Sequence, residues 1–312
     1  MGRYIARRLL QFVPVLVVAS IVVFLMAHLT PSDPAVVLAG GRQTSAETLD
    51  AIRAKYRLTD PLPVQYLSWA GNALRGDLGE SFRLKQSVGA MIAARLPVTL
   101  QLIGMSIVLS LAVAVPLGVL AALRRDRVAD RLISVLSLAG LSSPVFLTGL
   151  FGVLLFSYTL GWLPSIGVGA GFWENFRYLL LPSVALALNM IAQSLRITRN
   201  GMIQAMESSY VQTAIVKGLP RGTIVVRHAL RNALIPLVTV SGLQLGFLLT
   251  GTVLVEYTFG IGGVGGLLVT AIQNADYPVV QGTTLFVVAF FLVVNLLVDV
   301  LYAVIDPRIR YS

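Results

Sequence analysis

Residues 209–236 read SYVQTAIVKGLPRGTIVVRHALRNALIP, and they interrupt a chain whose other apolar runs are long enough to cross a bilayer. Met202 to Lys217 reads as one short helix, because Gly218 can take the left-handed cap position and Pro220 cannot continue the helix. Thr223 then offers an N-cap for a second helix. In that helix Val226, Ala229, Leu230, Ala233 and Leu234 fall at helical spacing, with Arg227, His228 and Arg231 towards the other side. Pro236 marks the return to hydrophobic sequence. The stretch reads as a docking surface rather than a loop.

The rest of the chain is built for lipid. Of 312 residues 56% are hydrophobic and only 12% charged, and the mean hydropathy is +0.81; a soluble core does not need such a composition and a membrane domain does. The absence of cysteine excludes disulfides, thiolate metal sites and thiol nucleophiles. Only His28 and His228 are available as imidazoles. Apolar runs of about 20 residues, the length needed to cross the hydrocarbon core, place six spans near Leu9–Leu29, Val98–Leu123, Leu132–Leu160, Tyr178–Leu195, Leu237–Tyr257 and Gln281–Ile305. The third is interrupted by Ser142, Ser143 and Pro144, which predicts a kink or a short separate helix.

A net charge of +10 raises the question of nucleic acid. The basic residues are instead sorted by membrane side. Fifteen of the 24 lysines and arginines flank spans on one side: Arg3, Arg7 and Arg8, the cluster from Arg124 to Arg131, six between Arg196 and Arg231, and Arg308 and Arg310. Eight of the remaining nine lie in the long segment from Thr30 to Pro97, which the positive-inside rule largely exempts, and the short outer loops hold only Arg177. Both termini and the loop 196–236 are therefore expected in the cytoplasm. Span one is expected to be an uncleaved signal anchor.

The outer segment carries two helical candidates, Ala46 to Tyr56 and Val64 to Leu74, the second with Tyr66 and Trp69. It reads either as a cap over the span ends or as a surface receiving a substrate-delivering protein. Gly76, Asp77, Leu78, Gly79 and Ser81 form a turn whose small residues permit close backbone approach.

Tests for chemistry come out negative. No G-x-x-x-x-G-K-[ST] loop is present, so the chain is not its own P-loop ATPase. No H-E-x-x-H or G-x-S-x-G occurs, which removes a zinc hydrolase and a nucleophile elbow. Polar residues at membrane depth pair, line an aqueous path or mark a binding site. Asn189, Gln193, Gln244 and Asn295 are the candidates for a translocation path, each also readable as an interhelical hydrogen bond. Asp299 is expected to pair with an arginine, and Glu256 to be interfacial. Gly242, Gly246 and Thr250 repeat every four residues, the pattern for close helix packing. The glycines from Gly260 to Gly266 read as a turn or re-entrant bend, with no lysine to make them a phosphate loop.

Together these residues resemble a family, the inner-membrane permease subunits of binding-protein-dependent ABC importers, and within it the B-type subunit of oligopeptide and dipeptide systems. The likeness covers nearly the whole chain. It rests on Arg7-Arg8, Leu29 to Pro34, Tyr56 to Pro61 with Gln65-Tyr66, Gly76 to Gly79, Arg95 to Leu100, Arg196 to Arg199, Tyr210 to Pro236, and the tail Asp299 to Arg308. The resemblance implies an all-α integral membrane fold of the type I importer class. It divides the chain into residues 1–29 (N-terminus and first span), 30–97 (extracytoplasmic segment) and 98–312 (permease core). Residues 196–236 become the coupling loop, whose short helix enters a cleft on an ATPase subunit. Gln212, Thr213 and Ala214 occupy the family's E-A-A positions, of which only the last alanine matches. Lys217, Gly218, Leu219, Arg227, His228 and Arg231 complete the implied coupling set.

The same resemblance implies a pore made with a sister permease as a heterodimer. Two ATP-binding subunits would hold ATP and magnesium, and an extracytoplasmic solute-binding protein would deliver substrate. This chain would carry no cofactor, metal or catalytic residue. Di- and oligopeptides are the expected substrates in a prokaryotic inner membrane, with glutathione, nickel chelates or haem-like compounds as alternatives. A stand-alone secondary transporter is the rival from another class. It is disfavoured because no internal repeat is evident and the acidic residues are peripheral.

Overall fold

The computed structural model describes residues 2–28, 35–36, 45–55 and 59–305. The motif residues 29–34 and 56–58 and the tail residues 306–312, with Arg308 and Arg310, lie outside the described residues. In chain order the helices are α1 (Gly2–His28), α2 (Ala46–Lys55), α3 (Leu62–Leu74), α4 (Val88–Leu123) and α5 (Val128–Ser142). Next come α6 (Val145–Gly152, widening into a π-type run Val153–Thr159), α7 (Phe172–Glu207) and α8 (Ser209–Val216). Helix α9 begins at Arg221–Thr223, widens over Ile224–Leu230 and continues as Arg231–Thr258; α10 (Val264–Gln273) and α11 (Tyr277–Ile305) follow. Among the described residues, extended backbone pairs only in an isolated bridge between Glu80 and Ser87.

Among the described residues, five helices are long and apolar enough to cross a membrane, or six when α5 and α6 count as one broken span. The break is sharp, 107°. Its cause is Pro144, which caps α6 and holds the preceding Ser143 extended at ψ 124°. The hydroxyls of Ser142 and Ser143 donate to the carbonyls of Leu138 and Ala139 at 3.1 and 2.9 Å. The third predicted span is thus two helices joined at a corner.

The chain forms two compact units, and α4 and α11 run through both. The first comprises Met1–Thr99 with Gly262–Leu296. Its core joins Val88, Met91 and Ile92 of α4 to Val264, Leu267 and Ala271 of α10 and Val279 of α11. Tyr66 and Trp69 of α3 pack their rings on Phe24 of α1, with centroids 5.5 and 5.9 Å away, and Tyr66 OH lies 2.9 Å from Ser20 Oγ. The turn after α3 is fixed from far along the chain. Asp276, buried before α11, accepts from Ser81 Oγ at 2.5 Å and from the Phe82 N–H at 3.0 Å, while Arg83 bonds Asn274. The glycine-rich run leads into α10, ten residues long and hence about 15 Å, too short to span. Thr99 Oγ1 accepts the Val264 N–H at 3.0 Å.

The second unit comprises Leu100–Ile261 and the end of α11. Helix α7 is its centre: 61% of its apolar window is buried, against 28% for α4, and it packs on α5, α6 and α9. Small residues permit this, with Ala185, Ala187, Ala192, Ser194 and Thr198 buried along its length. A Cβ on Gly118 of α4 would stand 2.7 Å from the Thr198 Cβ, so the two backbones approach as closely as glycine allows. At 36 residues, about 54 Å, α7 exceeds the roughly 30 Å hydrocarbon core. Its surplus carries the chain into the polar stretch.

Candidate functional site

The structure divides the 202–217 stretch differently from the single predicted helix. Helix α7 runs through Met202 to Glu207, Ser208 turns extended (φ −73°, ψ 152°), and α8 starts afresh at Ser209. Ser208 makes the break itself. Its hydroxyl donates to the Ala205 carbonyl at 2.5 Å and its N–H to the same oxygen at 3.2 Å, which competes with continuation of the helical ladder. The predicted left-handed cap is present at Gly218 (φ +72°). The Gly218 and Leu219 N–H groups donate to the carbonyls of Ile215 and Ala214, at 2.9 and 3.2 Å.

Thr223 is not the N-cap of the next helix. It is already helical (φ −63°, ψ −42°), and Pro220 holds the cap position at ψ 138°, where a missing N–H costs nothing. Nor does this helix end before Pro236, which lies inside α9. The wide run Ile224–Leu230 shifts the register of the expected apolar face. Ile224, Val225, Ala229 and Ala233 are buried, while Val226 is 64% exposed.

A compact core anchors α8. Val211 and Ala214 pack with Met202 and Ala205 of α7 and with Ile224, Val225, Ala229 and Ala233 of α9, and Val119 and Leu123 of α4 lie against them. At the base of this contact a Cβ on Gly201 would stand 3.0 Å from the Ala233 carbonyl oxygen. Ala214 is therefore an anchor. Gln212, Thr213, Lys217, Gly218 and Leu219 are exposed, as are Ile215 and, at 88%, Val216. The Thr213 hydroxyl turns back on the Ser209 carbonyl at 2.9 Å. Arg227 and Arg231 are exposed and His228 half-buried on α9. One face of α8 is held by the protein; the other, mixed apolar and polar, is exposed, with Gln212 Nε2 donating back to the Met206 carbonyl at 3.5 Å.

Two ion pairs clasp α7 to the α4–α5 turn and the first turn of α5, and neither was singled out from sequence. Asp130 accepts from Arg199 Nε at 2.6 Å and Nη2 at 2.7 Å, and from the Asp126 N–H at 3.0 Å. Its side chain is 5% exposed and that of Arg199 23%. Arg125 Nη1 meets Glu207 Oε1 at 2.6 Å beside it, in solvent. The only sequence signal was an acid at the start of a helix amid basic residues.

The structure brings three of the four path candidates together. Asn189 and Gln193 of α7 and Gln244 of α9 line a cavity of about 470 Å³ whose other walls include Leu186, Met190 and Phe247. None of its lining residues is charged. Gln244, 6% exposed, donates from Nε2 to Gln193 Oε1 at 2.8 Å. Asn295 sits half-buried on α11 in the other unit. Glu256, expected at an interface, is fully buried in α9; Asp299 is half-buried. Among the described residues no cluster of His, Asp or Glu could hold a metal ion.

Comparison with known proteins places this architecture. Residues 114–311 match the family described as binding-protein-dependent transport system inner membrane component, and residues 1–103 match its N-terminal companion. A Brucella abortus (strain 2308) protein provisionally named a peptide transport system permease is 41% identical over the full length of both chains. The glutathione transport system permease GsiC of Shigella flexneri serotype 5b is 40% identical, again over all of both chains. A solved amino acid ABC transporter superposes with a TM-score of 0.49 at 17% identity, covering 70% of this chain and 94% of the other. The chain belongs to the binding-protein-dependent transport system inner membrane components: it is a multi-pass inner-membrane permease of an ABC importer.

Proposed function

We propose that the chain forms half of a peptide-conducting pore with a sister permease, and that α8 is the element on which two ATP-binding subunits act. Those subunits would bind ATP and magnesium and carry out hydrolysis, and this chain would hold no cofactor. The observation that carries the reading is the two-faced α8: Val211 and Ala214 are buried in the core below, whereas Gln212, Thr213, Ile215, Val216, Lys217 and Leu219 are exposed. An apolar side chain as open as Val216 on a charged connection is suited to burial by a partner. The clustering of arginines around α8 and at the N-terminus supports a cytoplasmic location for α8 and both termini. The segment between α1 and α4 then faces an external solute-binding protein.

Peptide is favoured as substrate by the name of the Brucella relative. Glutathione, itself a tripeptide, is the second reading, favoured by the name of the Shigella one. Purification of the tagged chain from native membranes should bring a sister permease and ATP-hydrolysing subunits. Val216→Asp should release the ATP-hydrolysing subunits and keep the sister permease. A chain that purifies alone, or a variant that retains its ATPases, would refute the docking role. ATP-dependent uptake of trialanine into proteoliposomes, with glutathione as competitor, decides the substrate.

A further inference from the structure

The geometry points to a second groove, between α6 and α7, as a site for one phospholipid, with an acyl chain along its apolar walls and the phosphate at Arg177 beside its mouth. The groove holds about 300 Å³, the lower end of the range for small-molecule sites. Phe151 and Leu155 of α6 and its wide run form one wall, and Leu181, Val184 and Leu188 of α7 the other. It is open at the protein surface, since Phe151 is 61% and Leu155 49% exposed. Its one polar side chain, Thr148, spends its hydroxyl proton on the Val145 carbonyl at 2.8 Å. The α7 residues that line it lie about 140° round the helix from those that line the α7–α9 cavity. The groove therefore faces away from the candidate translocation path.

Depth and charge select a phospholipid. Along α7, Trp173, Arg177, Leu181, Val184 and Leu188 fall within about 80° of one another, so the wall of the groove runs up to a cation and an indole. Leu188 and Arg177 are about 16 Å apart along the helix, half of the roughly 30 Å hydrocarbon core and hence the depth of one leaflet. Trp162 and Trp173 are both exposed, and Trp162 lies against Phe156 of the groove with ring centroids 6.0 Å apart; tryptophan favours the headgroup level. Arg177 is exposed and forms no ion pair among the described residues. The nearby acid on α7 is occupied, because Glu174 Oε2 accepts the Ala170 N–H at 2.7 Å. A phosphate matches a guanidinium in this position, since the planar fork can donate two bonds to it at once. A helix of a neighbouring subunit would cover the apolar walls but gives no account of the cation above them.

The test takes the full chain, purified in detergent with whatever subunits accompany it, and titrates it with dioleoylphosphatidylglycerol or with dioleoylglycerol, which has the same chains and no phosphate. Bound lipid is counted by native mass spectrometry. Wild type should hold one phosphatidylglycerol per chain more tightly than dioleoylglycerol, and Arg177→Gln should weaken phosphatidylglycerol about tenfold, the loss of a charge-assisted contact, without changing dioleoylglycerol. Leu155→Trp, which fills the groove, should abolish the tight site, whereas Leu154→Trp, exposed but outside the lining, should keep it. Equal phosphatidylglycerol binding by wild type and Arg177→Gln overturns the inference, because only the general lipid shell would then be counted. Equal affinity of wild type for the two lipids, or equal binding by the two tryptophan variants, overturns it as well. A wild-type complex that holds no phosphatidylglycerol also overturns it and would show that a neighbouring subunit covers the groove. Arg177→Gln alters an exposed side chain without an ion pair, so its result stands even where Leu155→Trp fails to fold.

Discussion

Replacing Asp130 by asparagine tests whether the clasp at the base of α7 holds the site together. The substitution keeps the volume and one acceptor oxygen but turns an NH2 group towards the guanidinium and removes the counter-charge. A fully buried ion pair broken on one side costs about 3–5 kcal/mol, and an exposed pair about 0–1. Asp130 is 5% exposed and Arg199 23%, so water can reach part of the stranded cation. With two guanidinium bonds at 2.6 and 2.7 Å lost or weakened, the expected cost is about 2 kcal/mol. At about 2–4 °C per kcal/mol for chains of roughly this size, the melting temperature of the purified complex should fall by about 4–8 °C. Thermal scans of Asp130→Asn, Arg199→Gln and the double variant close a cycle. The pair should show a coupling of about 1–2 kcal/mol. A fall of less than about 1 °C, or additivity within about 0.3 kcal/mol, would refute the assignment of the clasp as a structural tie.

Two further substitutions address the connection and the far turn. Gly218→Val places a β-branched residue at φ +72°, where even an unbranched side chain costs about 1–2 kcal/mol; the complex should insert normally but lose ATP-driven uptake, and normal uptake at normal expression would count against α8 as the coupling element. Asp276→Ala removes the acceptor of both Ser81 Oγ and the Phe82 N–H, with a local cost of about 2–3 kcal/mol. Hydrogen exchange at the Phe82 amide should accelerate at least tenfold, and unchanged protection would show that the turn is held by other contacts.

The spans were legible in the sequence because a bilayer demands a run of about 20 apolar residues, and local breakers marked Pro144 and Gly218 for the same elementary reasons the structure shows. The break at Ser208 was not legible, since it depends on a serine hydroxyl and backbone N–H sharing the Ala205 carbonyl. On the inward face of α9, Ala229 and Ala233 are buried as expected, but Val226 is exposed and Ile224 and Val225 are buried instead, because a π-type run shifts the register in the first turns and a strict 3.6-residue period cannot foresee it. Long-range pairs were invisible for a different reason. Asp130 and Arg199 are 69 residues apart and Ser81 and Asp276 are 195 apart, so each acid looked like an isolated charge. Asn189, Gln193 and Gln244 stood out singly as polar residues in apolar runs, but only packing of α7 on α9 reveals that two of them bond and that one oxygen is left over.

The same two helices carry α8 and the cavity, which restricts how one can influence the other. Helix α8 is bonded to its neighbours through an apolar core shared by α7 and α9. Helices α7 and α9 cannot slide past each other cheaply, because the Gly201–Ala233 contact leaves no room for side-chain adjustment. Gln193 lies six residues before Arg199, about 9 Å along α7. A rigid movement of α7 with α9 would leave the 2.8 Å Gln193–Gln244 bond intact and reorient the cavity as a whole. A movement of one helix past the other would break that bond and open a second unpaired amide, at a cost of about 1–3 kcal/mol. The clasp from Arg199 to Asp130 adds a penalty to motion of α7 alone relative to the α4–α5 turn. The low-energy response to a push on α8 is therefore joint motion of α7, α9 and that turn, which would carry the α7–α9 cavity with the Gln193–Gln244 bond preserved.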